Sequence, residues 1–372
     1  MAQKKKLFLL DAMALIYRSY FAFSKNPRIN SKGLNTSAVL GFANTLLEVL
    51  KKEQPTHIGV AFDTKAPTVR HIEFTEYKAN RDKMPEDLSA SIPYVIELIK
   101  GFNIPIIMLD GYEADDIIGT MAKNAEKEGF TTYMMTPDKD FGQLVSENIY
   151  MYKPARMGNS AEVWGVKEIC ERYSLRDPEQ MIDLLGLWGD ASDNIPGVPG
   201  IGEKTAIKLL QKYDSIEGLI ENSSDLKGKQ KENVENFSDQ ALLSKKLATI
   251  ILDVPVEFNE DELLLQDPNE EFLKELFEEL EFRNFGKRFF TKQSLDNVEE
   301  NNAVQGDLFA QAEAEAEEKM IPAEMKTIVN TEHNYILVET LEKAKDLSDF
   351  LQKQKSICFD TETTGLDANQ AE

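Results

Sequence analysis

Two short apolar runs, each closed by an aspartate, constrain the fold more than any other feature of this chain. Lys5-Lys-Leu-Phe-Leu-Leu-Asp11 and His57-Ile-Gly-Val-Ala-Phe-Asp63 read as buried parallel strands ending in a carboxylate. Between them lie helical patterns at Ala12–Phe23 and at 36–52, the second with Val39, Phe42, Leu46, Leu47 and Leu50 inward. Ile104–Leu109, Thr131–Thr136 and 147–153 read as further strands, and 88–101 and Ile117–Glu128 as helices. Such alternation predicts an α/β fold with a mostly parallel central sheet flanked by helices. In open α/β sheets the site lies at the carboxyl ends of the strands, so Asp11 and Asp63 are placed for chemistry. A helix N-cap before Ala12–Phe23 is the lesser alternative for Asp11 alone.

Further carboxylates follow the same rule. Gly111-Tyr-Glu113-Ala-Asp115-Asp116 follows the third strand and Pro137-Asp138-Lys-Asp140 the fourth, while Asp190 and Asp193 lie in Gly189–Ala206. A helix macrodipole accounts for one or two acids at a helix start. Three packed beside strand ends call for a cation to relieve their repulsion. Oxygen ligands favour Mg²⁺ or Mn²⁺ over zinc. The three histidines, His57, His71 and His333, are scattered, which argues against a histidine metal site or a catalytic triad. Met13 stands where an aspartyl phosphatase would want its second Asp.

Two stretches suit a polyanion. From Lys65 to Pro85, Lys65, Arg70, Lys78, Arg81 and Lys83 are interleaved with Phe74 and Tyr77. Cations can track a single-stranded backbone while rings stack on bases; a solvated surface segment is the alternative. Gly197-Val-Pro-Gly-Ile-Gly202 forms a tight turn opening a helix near Glu203, with Lys204, Thr205 and Lys208 behind it. Glycines admit a close phosphate, the helix start offers free N–H groups and Lys204 adds charge, giving backbone binding without base reading. Trp164 and Trp188 are expected in the core.

The net charge of −23 does not exclude nucleic acid, because residues 257–372 carry 29 acidic and 11 basic residues against 36 and 31 before them. Helices are expected at Val166–Tyr173 and Pro178–Leu187, then short helices over 215–251 around a basic loop, Lys227–Lys231, and an acidic amphipathic helix at Phe272–Arg283. Around Leu295–Met320 apolar order gives way to Asn, Gln, Ala and Glu, the composition of a flexible linker. A strand at 334–340, a helix at Leu341–Lys353 and a strand at Ser356–Asp360 start another domain. Cys170 and Cys358 suggest no disulfide framework, so a reducing cytosol is expected. No apolar run approaches the ~20 residues of a membrane span.

Taken in order, Leu-Leu-Asp11, Ala-Phe-Asp63, Tyr77-Lys-Ala-Asn-Arg81, Gly-Tyr-Glu113-Ala-Asp115-Asp116, Asp138-Lys-Asp140 and Gly-Asp190-Ala-Ser-Asp193 through Gly-Ile-Gly-Glu-Lys carry a resemblance. Residues 1–290 are similar to the 5′-nuclease domain of the bacterial DNA polymerase I family, and so resemble the flap endonuclease superfamily. The resemblance implies a PIN-like catalytic domain at 1–175 with a helical arch at about 65–100, and a helix–three-turn–helix subdomain at 176–290. An acidic linker at 291–325 and a truncated start of a 3′→5′ exonuclease-like domain at 326–372 would follow, the latter with an incomplete motif at Asp360 and Glu362. It implies two divalent ions, one among Asp11, Asp63, Glu113 and Asp115, the other among Asp138, Asp140, Asp190 and Asp193. Asp116 would act through water, and Lys78 and Arg81, with Asp115 and Asp116, would serve catalysis. DNA contacts would come from Arg70, Tyr77, Lys78, Arg81, Gly197, Gly200, Gly202, Lys204 and Thr205, with K⁺ in the 185–205 element. The implied activity is a 5′→3′ exonuclease and 5′-flap endonuclease of repair and replication, removing primers and processing nicks. It would leave a 5′-phosphate and a 3′-hydroxyl and work as a cytoplasmic, nucleoid-associated monomer on DNA with a free 5′ end.

Overall fold

The computed structural model describes residues 5–155, 160–290, 338 and 340–354. The chain divides into two units, Met1–Ala310 and Gln311–Glu372. The sheet of the first unit runs β1 (Lys6–Asp11), β2 (His57–Ala61), β3 (Ile106–Ile107), β4 (Thr131–Met135), β5 (Ile149–Lys153) and β6 (Glu162–Trp164). Its spatial order is β3-β2-β1-β4-β5-β6, with β6 antiparallel to β5 and the other pairs parallel. The chain crosses from β1 outward to β3, then returns to the other side of β1 with β4. This reversal opens a crevice at the carboxyl ends of β1 and β4, where doubly wound sheets bind ligands.

Strand alternation distributes the sheet between two cores. Leu7 and Leu9 of β1 face one, with α5 (Ala114–Lys127), α7 (Met181–Trp188) and α8 (Glu203–Tyr213). Phe8 and Leu10 face the other, with α1 (Ala12–Ala22), α2 (Ser37–Glu48) and α4 (Glu86–Gly101). All four are essentially inaccessible, and each fully buried side chain of this size contributes about 2–3 kcal/mol. The remaining helices of the unit are α3 (Val69–Glu73), α6 (Val166–Tyr173), α9 (Ile216–Glu221), α10 (Gly228–Asn236), α11 (Ser238–Ala248), α12 (Glu260–Leu263), α13 (Glu270–Glu279) and α14 (Arg283–Phe290). In the second unit, α15 (Leu341–Leu351) is described.

Several expectations change. The third strand shrinks to two residues, and β6 is a polar edge strand that the apolar pattern did not announce. Helix α5 starts three residues early, because Glu113 and Asp116 cap it reciprocally. The basic loop at 227–231 opens α10, anchored by buried Val234. The acidic helix predicted to reach Arg283 stops at Glu279; Glu281 takes a φ of +62°, α14 follows, and Phe277 packs against Phe282 and Phe285. Trp164 and Trp188 are half-buried against the core rather than inside it. The linker, the strands at 334–340 and 356–360, and Asp360 and Glu362 lie outside the described residues, apart from isolated positions.

Candidate active site and nucleic-acid interface

Strand ends deliver the carboxylates to the crevice. Asp11 closes β1 and caps α1, accepting from the Ala14 amide at 3.1 Å and from the Thr136 hydroxyl at 3.0 Å. Burial, reinforced by Asp63 and Asp138, pushes its carboxyl up to about 7. Asp63, two residues beyond β2, accepts from the Ala114 amide at 2.9 Å, and burial raises it too. Asp115 is driven well above the carboxylate range by burial and by Asp116 and Glu113 beside it. After β4, Asp138 accepts from the Asp140 amide at 3.0 Å and is raised by burial. Asp140 is pushed up to about 7 by burial and by Asp138. Its Oδ1 is buried without a hydrogen bond, although Lys139 Nζ stands 3.2 Å away.

The other carboxylates are held by cations of the chain. Glu113 accepts from Lys78 Nζ at 2.6 Å, Tyr77 Oη at 2.9 Å and Arg70 Nη1 at 3.1 Å. Burial alone would raise it, but Lys78 and Arg70 outweigh burial and hold it below its ordinary value. Asp193 behaves likewise: burial is overcome by Lys78 and by the Arg81 guanidinium bonded to it. Asp190 is paired with Lys139 and accepts from the Ser192 amide at 2.8 Å.

The segment at 76–81 is stitched to the acidic loop at 190–194. Lys78 donates its amide to the Asp193 carbonyl at 2.9 Å, Asn80 Nδ2 bonds the Ala191 carbonyl at 2.6 Å, and Asn194 Nδ2 bonds the Glu76 carbonyl at 2.6 Å. Lys78 sits at a φ of +56°, a left-handed conformation that costs a non-glycine residue about 1 kcal/mol or more. These contacts offset that cost.

Four expected roles are corrected by burial. Asp116 has no exposed surface, and both its oxygens are saturated: Arg70 grips them at 2.7 and 2.8 Å, and the amides of Ile251 and Glu113 add bonds at 2.8 and 3.1 Å. It has no face for a metal or its water. Arg70 is 4% exposed and spends its remaining nitrogen capacity on the carbonyls of Leu247 and Thr249, so it cannot reach DNA. Tyr77 is 3% exposed and bonds Glu113, so its ring is not a stacking platform. Gly197 is buried; its amide donates to Ser244 at 3.0 Å, and its φ of +60° with backbone 2.5 Å from a would-be Cβ explains the glycine. By contrast Gly200, Gly202 and Lys204 are exposed, and Gly202 starts α8 without a side-chain cap, leaving helix-start donors for an outside anion. Thr136 and Lys139 were not singled out from sequence; a hydroxyl directly after a strand and a lysine between two aspartates were the available signals.

Among the described residues, no three acidic, histidine or cysteine side chains stand as a ready-made ion site. Lys78, Arg81 and Lys139 occupy the gaps between them. The donor set nevertheless fits a hard divalent cation. It is all oxygen, it outnumbers the cations that reach it, and it includes the buried unbonded oxygen of Asp140.

An acidic crevice at the switch point of a parallel sheet, followed by a helical phosphate-type turn, has the architecture of a resolvase-like α/β domain joined to a SAM-fold helical domain. Residues 6–174 match the 5′-3′ exonuclease N-terminal resolvase-like domain, and residues 176–271 match the 5′-3′ exonuclease C-terminal SAM fold. A 5′-3′ exonuclease of Aquifex aeolicus is 36% identical over 283 residues, covering 76% of this chain and 94% of that protein. DNA polymerase I of Bacillus subtilis is 46% identical over 290 residues, 77% of this chain and 32% of that protein, so the chain spans about a third of the polymerase length. A bacteriophage T5 flap endonuclease, solved with DNA and metal ions, shares the fold with a TM-score of 0.56 at 22% identity, covering 74% of this chain and 99% of that one. The chain belongs to the 5′-3′ exonuclease family. No helix among the described residues is long and apolar enough to cross a membrane.

Proposed function

We propose that this chain is the 5′-nuclease part of a DNA polymerase I. It hydrolyses DNA phosphodiesters at free 5′ ends, flaps, nicks and primer junctions, using two divalent cations, Mg²⁺ or Mn²⁺. One observation carries the reading: eight carboxylates converge on the crevice, and five of them, Asp11, Asp63, Asp115, Asp138 and Asp140, are pushed toward the neutral form by burial. Five such groups in one place are costly unless a cation arrives. Asp11, Asp63, Glu113 and Asp115 would hold one ion, and Asp138, Asp140, Asp190 and Asp193 the other. Bound there, such ions supply Lewis-acid charge and a lowered pKa for water.

The chain's own cations complete the reading. Lys78 and Arg81 already stand on the acidic loop, and a phosphate in the crevice would take up the same nitrogens through charge-assisted bonds. Gly200, Gly202, Lys204 and Thr205 would grip the duplex backbone at a distance from the reacting bond, fixing its register. K⁺ would serve the same turn. The domains would divide near residue 175, and the protein would work as a monomer at the nucleoid in the bacterial cytoplasm.

The test is a 5′-labelled flap duplex incubated with the chain in Mg²⁺, in EDTA, and with Asp115→Asn, each in K⁺ and in Na⁺. Short labelled 5′ fragments are expected with metal and native Asp115 alone. DNA binding without cleavage in Mg²⁺ or Mn²⁺ would overturn the reading in favour of a binding module.

A further inference from the structure

The carboxylates of β1 and of the loop after β4 come from different strands, and one side chain spans the gap between them. Leu10 pairs with Met135, so the next residues, Asp11 and Thr136, meet where the two strands end. Thr136 is fully buried. Its hydroxyl donates to Asp11 Oδ2 at 3.0 Å and accepts from the Asp138 amide at 3.1 Å. A hydroxyl can do both because it carries one donor and two acceptor pairs. Pro137 between them has no N–H to donate, and the Asp138 N–H bonds back to Thr136. Asp138 then accepts from the Asp140 amide at 3.0 Å, while Asp11 is pinned on its other side by the Ala14 amide at 3.1 Å. Asp11, Thr136, Asp138 and Asp140 are thus one hydrogen-bonded string.

We infer that Thr136 is a positioning residue: its hydroxyl locks Asp11 to the Asp138–Asp140 loop, so that the two proposed ion sites form as a unit. The inference rests on the ion assignment proposed above. Valine fills nearly the same volume but offers neither the donor nor the acceptor, leaving Asp11 held by the Ala14 amide alone and the Asp138 amide without its bond.

The experiment is calorimetric titration of the full chain with Mn²⁺ alone, without DNA, for wild type and for Thr136→Val, Thr136→Ala and Thr136→Ser. Loss of a partner that orients a ligand costs about 10–100-fold in metal affinity, and that loss is expected for Val and Ala. Ser retains the hydroxyl and is expected close to wild type. Ala removes the hydroxyl without placing a methyl against the Asp138 amide, so it tests the inference even where Val fails to fold. Undiminished Mn²⁺ affinity in a folded Val or Ala variant would overturn the inference, even if the urea midpoint falls, because that is what a merely structural role produces. If wild type itself took up no Mn²⁺, the ion assignment would fall and this inference with it.

Discussion

Arg70→Met should cost the nuclease unit roughly 3–5 kcal/mol, and the reason is visible in its partners. The guanidinium makes two bonds to Asp116 at 2.7 and 2.8 Å, one to Glu113 at 3.1 Å, and two to the carbonyls of Leu247 and Thr249 at 3.0 and 2.9 Å. Removing it strands a carboxylate with no exposed surface, and breaking one side of a buried ion pair costs about 3–5 kcal/mol. With a urea slope near 3 kcal/mol/M, the midpoint drops by about 1–2 M. Both tryptophans, Trp164 and Trp188, lie in the first unit, so their fluorescence follows this unit alone. Replacing both partners, Arg70→Met with Asp116→Leu, should recover part of the loss, because no buried charge is then left unpaired. If Arg70→Met unfolded within about 0.5 kcal/mol of wild type while weakening DNA binding and lowering its salt slope by about 1, Arg70 would be a phosphate contact and the structural argument would fail.

Gly197→Ala should destabilise by about 2–3 kcal/mol, since its φ is +60° and a Cβ would meet the Gly189 backbone at 2.5 Å; an unchanged urea midpoint would contradict that geometry. Lys204→Ala should weaken duplex binding uniformly across sequences and lower the salt slope by about 1, read by fluorescence anisotropy at several salt concentrations; an unchanged slope would take Lys204 off the phosphate. Burial near Phe130 pushes the His57 imidazole below its usual value of 6.5. Its folded pKa is the lower one, so its contribution is complete above the unfolded pKa and lost as pH falls through the folded pKa. The margin of wild type over His57→Gln in thermal midpoint should therefore shrink as pH is lowered from 6.5, and a widening margin would reverse the assignment.

The sheet was legible because β1 and β2 are buried on both faces and read as apolar runs with a carboxylate at or just past the end, while β4, Thr-Thr-Tyr-Met-Met, continues the alternation of helix and strand. Strand β6 was not, since an edge strand with exposed Glu162 and Val163 has no apolar pattern to read. The carboxylate positions were legible for the same reason as the strands: topology puts strand ends together. The roles of Arg70, Tyr77 and Asp116 were not. In sequence Arg70 and Tyr77 look like a basic, aromatic surface, and what buries Arg70 is Asp116, 46 residues away. No local period carries a pairing at that range. Gly197 and Gly200 share a motif, but one glycine serves a backbone crossing against Gly189 and the other faces solvent, a difference set by where Ser244 and Gln240 of α11 dock.

The stitching of 76–81 to 190–194 makes two equilibria into one. A cation bound at Glu113 or at Asp193 would displace Lys78, and a phosphate that draws Lys78 and Arg81 away would leave Asp193 without counter-charge and Glu113 with Arg70 alone. Each event lowers the cost of the other, and by reciprocity the factor by which metal tightens DNA binding equals the factor by which DNA tightens metal binding. The protein alone therefore holds Glu113 and Asp193 with its own cations, and under the proposed function it would give these up to DNA in proportion to how much metal is there to replace them.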